Sequence, residues 1–218
     1  LLDMRSLTEA MRGICLMNAV AMDRAGSLAD EDARQAAEDL NELLIPITKA
    51  WCTDMGVEVT SLAIQVFGGM GFVEETGVSQ FFRDARIAPI YEGTNGIQAM
   101  DLVGRKLPMR SGGVVTDTIA DIRATAAALS ADDELAGIGA RLAEATDALD
   151  EATQWIFGHA GEIRDVLAGA TPYRRMWGLV VGGWVLGKSA LAAAEWAADD
   201  GPADFCAEKV RTARWFAD

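Results

Sequence analysis

At 218 residues, half of them hydrophobic, the chain can bury one large core or two smaller ones. Its formal net charge of -14 and pI near 4.4 set up a field that repels phosphate backbones and anionic lipid surfaces. Nucleic acid and membrane are therefore poor partners, although an anionic small molecule could still be held at a local basic patch.

Cys15, Cys52 and Cys206 lie far apart with no CxxC pairing, as expected of reduced thiols in a cytoplasmic protein rather than of a disulfide framework or a metal centre. The one histidine, His159, sits in WIFGHAGE with no nucleophile near it in sequence and reads as structural, which leaves general-base work to carboxylates. Leu1 to Arg5 lacks the cationic start and apolar run of a signal peptide. The absence of an initiating methionine leads us to expect a piece of a longer polypeptide.

In chain order, Met4, Leu7, Met11, Ile14 and Val20 recur at helical intervals and predict an amphipathic helix over Asp3–Ala25, ending near Gly26. Asp30 is the expected N-cap of the next helix, which runs to Pro46; the proline either kinks it or starts another. From Ile47 to Phe67 the spacing of Trp51, Met55, Val59, Leu62 and Val66 predicts a long, well-buried helix ended by Gly68 and Gly69. Val78 to Arg86 reads as a short helix with Phe81 and Phe82 as core anchors. Ile87 to Glu92 is expected to be extended, since Pro89 disfavours helix in the residue before it.

Gly93 to Leu107 reads as a helix closed by Pro108, and Pro108 to Gly113 as the best linker in the chain. Thr116–Leu129, Asp132–Phe157, Tyr173–Ala198 and Ala203–Phe216 read as four more helices. Strand-like alternation is nowhere convincing, so the fold class is all-α. The most apolar run, MWGLVVGGWVLG at Met176 to Gly187, is too short for a membrane span before Lys188 and Glu195 intervene. Its four glycines suggest a helix that lets a neighbour come close.

The stretch that carries chemistry is Gln80 to Gln98, QFFRDARIAPIYEGTNGIQ. It presents one carboxylate, Glu92, between Tyr91 and Gly93 at a break in the helical pattern. A glutamate half-buried beside Tyr91, Ile90 and Ile97 has its charged form desolvated and becomes suited to abstracting a carbon-bound proton. Gly93 lets a substrate lie against the backbone beside it. The two glycine loops, 68–71 and 93–96, could turn amide hydrogens towards an anionic cofactor. On the residues alone, a pair of helix caps with an exposed acid explains the same pattern as well.

QVFGGMGF, then RDARI, then IYEGTNGIQ, in this order and spacing, resembles the C-terminal helical domain of the acyl-CoA dehydrogenases. The resemblance covers Leu1 to Leu107 and implies an up-and-down helical bundle. It makes Glu92 the base that removes the α-proton of an acyl-CoA thioester, while the β-hydrogen passes as hydride to FAD. Gln65, Val66, Phe67, Gly68 and Gly69 would contact the ADP part of the FAD held mainly by a neighbouring subunit. Thr94, Asn95 and Gly96 would touch the FAD within the same subunit, and Tyr91 and Gly93 would border the thioester. Gly96 departs from the family, many of whose members carry Glu or Gln there.

The family's N-terminal helical and middle β-domains have no counterpart in this chain, and the first helix of the C-terminal domain is expected to be missing. Residues 109–218 resemble the extra C-terminal helical region of large bacterial members acting on long-chain acyl-CoAs or on 3-(methylthio)propanoyl-CoA. That region is expected to serve packing or assembly, which divides the chain into 1–108 and 109–218. The resemblance further implies homo-oligomers, an electron-transferring flavoprotein as acceptor, a bacterial cytoplasmic location and no metal. Two other readings follow from the same residues: a non-catalytic helical assembly module, and a DNA-associated member of the superfamily, which the acidity disfavours.

Overall fold

The computed structural model describes residues 1–218, and every regular element in it is helical. α1 (Leu2–Ser27) and α2 (Glu31–Phe67) are joined by a short turn and pack along each other. Asp30 caps α2 as expected: its Oδ1 accepts a hydrogen bond from the Ala33 N–H at 2.7 Å, and its charge complements the helix dipole. Pro46 does not start a new helix. It is buried inside a continuous α2, where the hydrogen bond it cannot make is offset by burial of Leu43, Leu44, Ile47 and Trp51 around it.

α2 ends at Gly68, and the short α3 (Gly69–Phe72) and a 3-10 turn at Glu74–Thr76 lead to α4 (Val78–Ile87). The expected core anchors are not in the core. α4 docks on α2 and buries Val78 and Ser79, whereas Phe81 is 68% exposed and Phe82 half-buried. Residues 87–92 are not extended either. Ala88 is helical despite preceding a proline, and the N–H groups of Ile90 and Tyr91 both reach the Ile87 carbonyl, at 2.9 and 3.3 Å, which winds the segment into turns.

α5 (Asn95–Asp101) runs into a π-helical stretch at Leu102–Lys106, closed by Leu107 N–H on Leu102 O at 2.9 Å. Lys106 is buried there and pairs with Glu42 and, at 3.9 Å, with Asp101. Between Pro108 and Gly113 the chain makes a tight kinked turn, with Arg110, Ser111 and Gly112 at positive φ and Gly112 buried.

α6 (Gly113–Ser130), α7 (Ala136–Gly158), α8 (Ile163–Ala198) and α9 (Ala203–Ala217) complete the chain. α7 starts later than expected because Asp132 holds the turn before it, its Oδ1 accepting from the N–H groups of Glu134 and Leu135. α8 starts ten residues earlier than expected, at Ile163 instead of Tyr173. It passes through Pro172 because Val166 and Ala170 before the proline, and Tyr173 and Trp177 after it, are all buried.

α8 is the axis of the molecule and touches α1, α2, α5, α6, α7 and α9. By length and composition it could cross a membrane, with a mean hydropathy of 1.3 over its most apolar window. Its buried Trp177, Val181, Trp184 and Ala190 instead make it the centre of the core. One cluster of 32 buried residues extends from Ala10 and Ile14 in α1 to Ala213 in α9, across both parts of the chain.

Candidate active-site loop

The segment Pro89 to Asn95 is a closed loop, its ends tied by the Asn95 N–H donating to the Pro89 carbonyl at 3.1 Å. Glu92 and Gly93 sit at its tip with φ of +53 and +82, both in the left-handed region. Glycine adopts that region freely, whereas glutamate does so at a cost of about 1 to 2 kcal/mol, so the surrounding structure imposes it. Glu92 is exposed, and Ile90, Tyr91 and Ile97 stand open beside it. The half-buried setting expected for the carboxylate is therefore not formed by this chain's own residues.

The N-cap of α5 is Thr94, whose Oγ1 accepts from the Ile97 N–H at 3.3 Å. Capping thus falls to Thr94, and the Glu92 carboxylate is left free. Gly96 is exposed, and a Cβ there would have the Thr94 hydroxyl as its nearest neighbour at 3.8 Å, so a longer side chain would fit.

Asn95 is the anchor of the loop. Its Nδ2 donates to the Ala50 carbonyl at 3.0 Å, to Thr53 Oγ1 at 3.0 Å and to Asp54 Oδ1 at 2.7 Å. Its Oδ1 accepts from Lys49 Nζ at 3.0 Å. The side chain is 8% exposed and spent on α2, so contact from this residue to a bound group would have to come through its backbone. Lys49 is half-buried; desolvation pulls its ammonium below the ordinary lysine range, opposed by the charges of Asp54 and Glu92. Asp54 Oδ2 accepts from Nη2 of Arg174, which reaches it from α8 at 2.6 Å.

Gln65, Val66, Phe67, Gly68 and Gly69 lie at the far end of α2, all exposed. At 1.5 Å per residue they begin roughly 16 Å along the helix from Asp54, so they form a second group apart from the loop. Large apolar side chains stand exposed through this part of the chain, among charged ones such as Arg83, Asp84 and Arg86. Ten of the 21 exposed large hydrophobic side chains fall between Val66 and Met100, among them Phe67, Phe72, Phe81 and Tyr91.

Lys49, Thr53, Asp54 and Arg174 were not singled out from sequence. The first three fall at i, i+4 and i+5 of α2, close to the buried Ala50 and Trp51, but α2 carries many other polar residues and nothing in the sequence sets these three apart. Nor does anything there set Arg174 apart.

Two family models match the chain: the acyl-CoA dehydrogenase C-terminal domain over residues 1–107, and the acetyl-CoA dehydrogenase C-terminal like family over 118–218. The 3-methylmercaptopropionyl-CoA dehydrogenase of Ruegeria pomeroyi is 44% identical over 220 residues, covering 100% of this chain and 37% of that protein. A butyryl-CoA dehydrogenase of Syntrophomonas wolfei is 37% identical over 56% of this chain and 20% of its own length. The crystal structure of Caenorhabditis elegans ACDH-11 in complex with C11-CoA superimposes with a TM-score of 0.75 over 98% of this chain and 34% of that one. At 18% identity that is a likeness of fold. The fold is all-helical, and the matches over residues 1–107 and 118–218 are to C-terminal regions of the acyl-CoA dehydrogenases; the chain belongs to the acyl-CoA dehydrogenase family. It spans little more than a third of the Ruegeria relative.

Proposed function

We propose that this chain is the C-terminal part of an FAD-dependent acyl-CoA dehydrogenase in which Glu92 takes the α-proton of an acyl-CoA thioester. The observation that carries the reading is the presentation of Glu92: a free carboxylate at the tip of a strained loop whose base is bolted to α2 through Asn95. A base that must meet a carbon-bound proton needs a fixed approach more than it needs a hydrogen-bond partner of its own. A mere capping acid would occupy the N-cap, and Thr94 holds that place.

Gly93 brings bare backbone beside the carboxylate, and with Tyr91 it would border the thioester. The residues assigned to FAD fit such a group in that they are exposed, apart from the Asn95 side chain, and nothing lies within 4 Å of where a Cβ would stand on Gly68. Gln65, Val66, Phe67, Gly68 and Gly69 would hold the ADP part of a cofactor carried mainly by a neighbouring subunit. Thr94, Gly96 and the Asn95 backbone would hold the one in the same subunit. When bound, FAD would supply a hydride acceptor for the β-hydrogen, so that loss of the α-proton to Glu92 would leave the trans-2-enoyl-CoA.

The open carboxylate and the exposed apolar side chains between Val66 and Met100 support completion of the site by further domains and by other subunits of a homo-oligomer. The part from 109 onwards serves packing and assembly, an electron-transferring flavoprotein serves as acceptor, and the setting is the bacterial cytoplasm. In the complete flavoprotein, Glu92→Gln keeps the shape of the side chain but cannot accept the proton. FAD should stay bound and substrate-dependent bleaching of its absorbance should be abolished. Bleaching at a near-normal rate would refute the assignment. 3-(Methylthio)propanoyl-CoA heads the substrate panel, since the Ruegeria enzyme of that name aligns with the whole chain.

A further inference from the structure

Arg174 is 1% exposed, yet Asp54 is its one protein partner; its Nε and Nη1 are buried without any. A buried guanidinium held by a single carboxylate is a costly device, and an apolar residue of similar volume would often give equal or greater stability. What the ion pair does, and an apolar residue could not, is orient Asp54. The two oxygens of that carboxylate are divided: Oδ2 faces Arg174 at 2.6 Å, and Oδ1 accepts from Asn95 Nδ2 at 2.7 Å. Asn95 then closes the loop through its N–H on the Pro89 carbonyl, with Glu92 and Gly93 at the tip. The two contacts are charge-assisted and short, the kind that fix geometry.

From this connected path we infer that Arg174, contributed by the second part of the chain, is a positioning residue for the proposed base. Through Asp54 and Asn95 it holds the loop that carries Glu92, so α8 takes part in setting up the reaction as well as in packing. The inference rests on the reading of Glu92. Without Arg174 the Asp54 carboxylate, whose side chain is 31% exposed, is free to turn towards water or towards Lys49, and Asn95 loses its strongest acceptor. A misplacement on the order of 1 Å at a reacting group costs up to about a hundredfold in rate.

The test uses the complete flavoprotein and rapid mixing with an acyl-CoA substrate, with the bleaching rate expressed per bound FAD. Arg174→Gln should slow bleaching by about tenfold to a hundredfold while KM and FAD content stay near their original values. Arg174→Lys, which keeps a cation near Asp54, should recover part of that loss. Asp54→Asn, at a less buried position, should reproduce the slowing, and it replaces Arg174→Gln in the comparison if that variant does not accumulate as flavoprotein.

A bleaching rate per FAD within twofold of the unaltered enzyme, in Arg174→Gln or in its replacement, overturns the inference, even where thermal stability falls. Glu92→Gln is measured beside them. If it also bleaches normally, the reading of Glu92 has failed; if it is dead while the Arg174 and Asp54 variants are not, the positioning role alone has failed.

Discussion

The glycines of α8 and those of the loops around Glu92 are the same residue used for opposite ends. In α8, a Cβ on Gly178 would lie 2.1 Å from Cγ and Cδ1 of Trp51, one on Gly182 2.9 Å from Phe216, and one on Gly187 2.8 Å from Leu129. Those glycines have ordinary helical backbone and exist so that α2, α9 and α6 can approach. Gly68 has φ of +61 and nothing near it, and Gly93 has φ of +82 with only flexible side chains, Gln98 and Ile97, within reach. They permit backbone that other residues resist, on a surface that is open. The α8 glycines thus serve distance, and Gly68 and Gly93 serve conformation and access.

Gly178→Val should break the first half of that comparison and have the largest effect. Overpacking against the buried indole of Trp51 should cost about 3 kcal/mol or more, because a tryptophan fixed on all sides cannot move aside. For a chain of this size that is a fall of roughly 6 to 12 °C in apparent melting temperature. A fall of less than about 2 °C would mean that the α2 and α8 contact is far softer than its geometry.

Gly93→Ala should have a smaller effect on stability, about 1 kcal/mol for a non-glycine residue at positive φ, and the larger consequence for turnover. Its new methyl group would stand 3.0 Å from Gln98 Nε2, the end of a flexible side chain that can yield. In the complete flavoprotein, the melting temperature should move by only a few degrees while the bleaching rate falls clearly. Equal losses in both at Gly93 and Gly178 would erase the distinction between them. Gly56→Ala sharpens it from the other side: this α2 position has nothing within 4 Å of its missing Cβ, so the change should stabilise by about 0.4 to 1 kcal/mol.

The part of this organisation visible in the sequence is the part that local chemistry decides. Asp30 before a helical run, glycine after Phe67, and YEGTN at a pattern break are signals within a few residues of their effects. The α8 glycines could be read as making room, though not for which neighbour. Readings failed where distant contacts overrule local preference. No helix starts at Pro46, and α8 begins before Pro172 instead of after it, because apolar burial around both prolines outweighs a lost hydrogen bond. Phe81 points outward because only the first turn of α4 reaches the core. Glu92 is more exposed than expected because apolar neighbours in sequence do not make an enclosure in space. The Arg174 to Asp54 contact joins residues 120 positions apart, beyond any periodicity.

The seam between α1 and α9 offers the smallest effect and a third way of joining the two parts of the chain, by charge at a partly open surface. Glu9 accepts from Lys209 Nζ at 2.8 Å and from Arg5 Nε at 3.1 Å, and Arg5 also reaches Glu208. Burial pushes the Glu9 carboxyl up, but the hydrogen bonds and charges of Lys209 and Arg5 together hold it below its ordinary value of 4.5. A carboxylate depressed in the folded state contributes fully above its unfolded pKa and loses that contribution as pH falls through the folded value. Glu9→Gln should therefore cost about 0.5 kcal/mol near neutral pH, as partly exposed pairs do. The gap between the two melting curves should narrow as pH drops below 4.5 and close once the native carboxyl is protonated. A gap that stayed constant with pH would assign the α1 and α9 contact to apolar packing, including Phe216 against the core, rather than to the ion pairs.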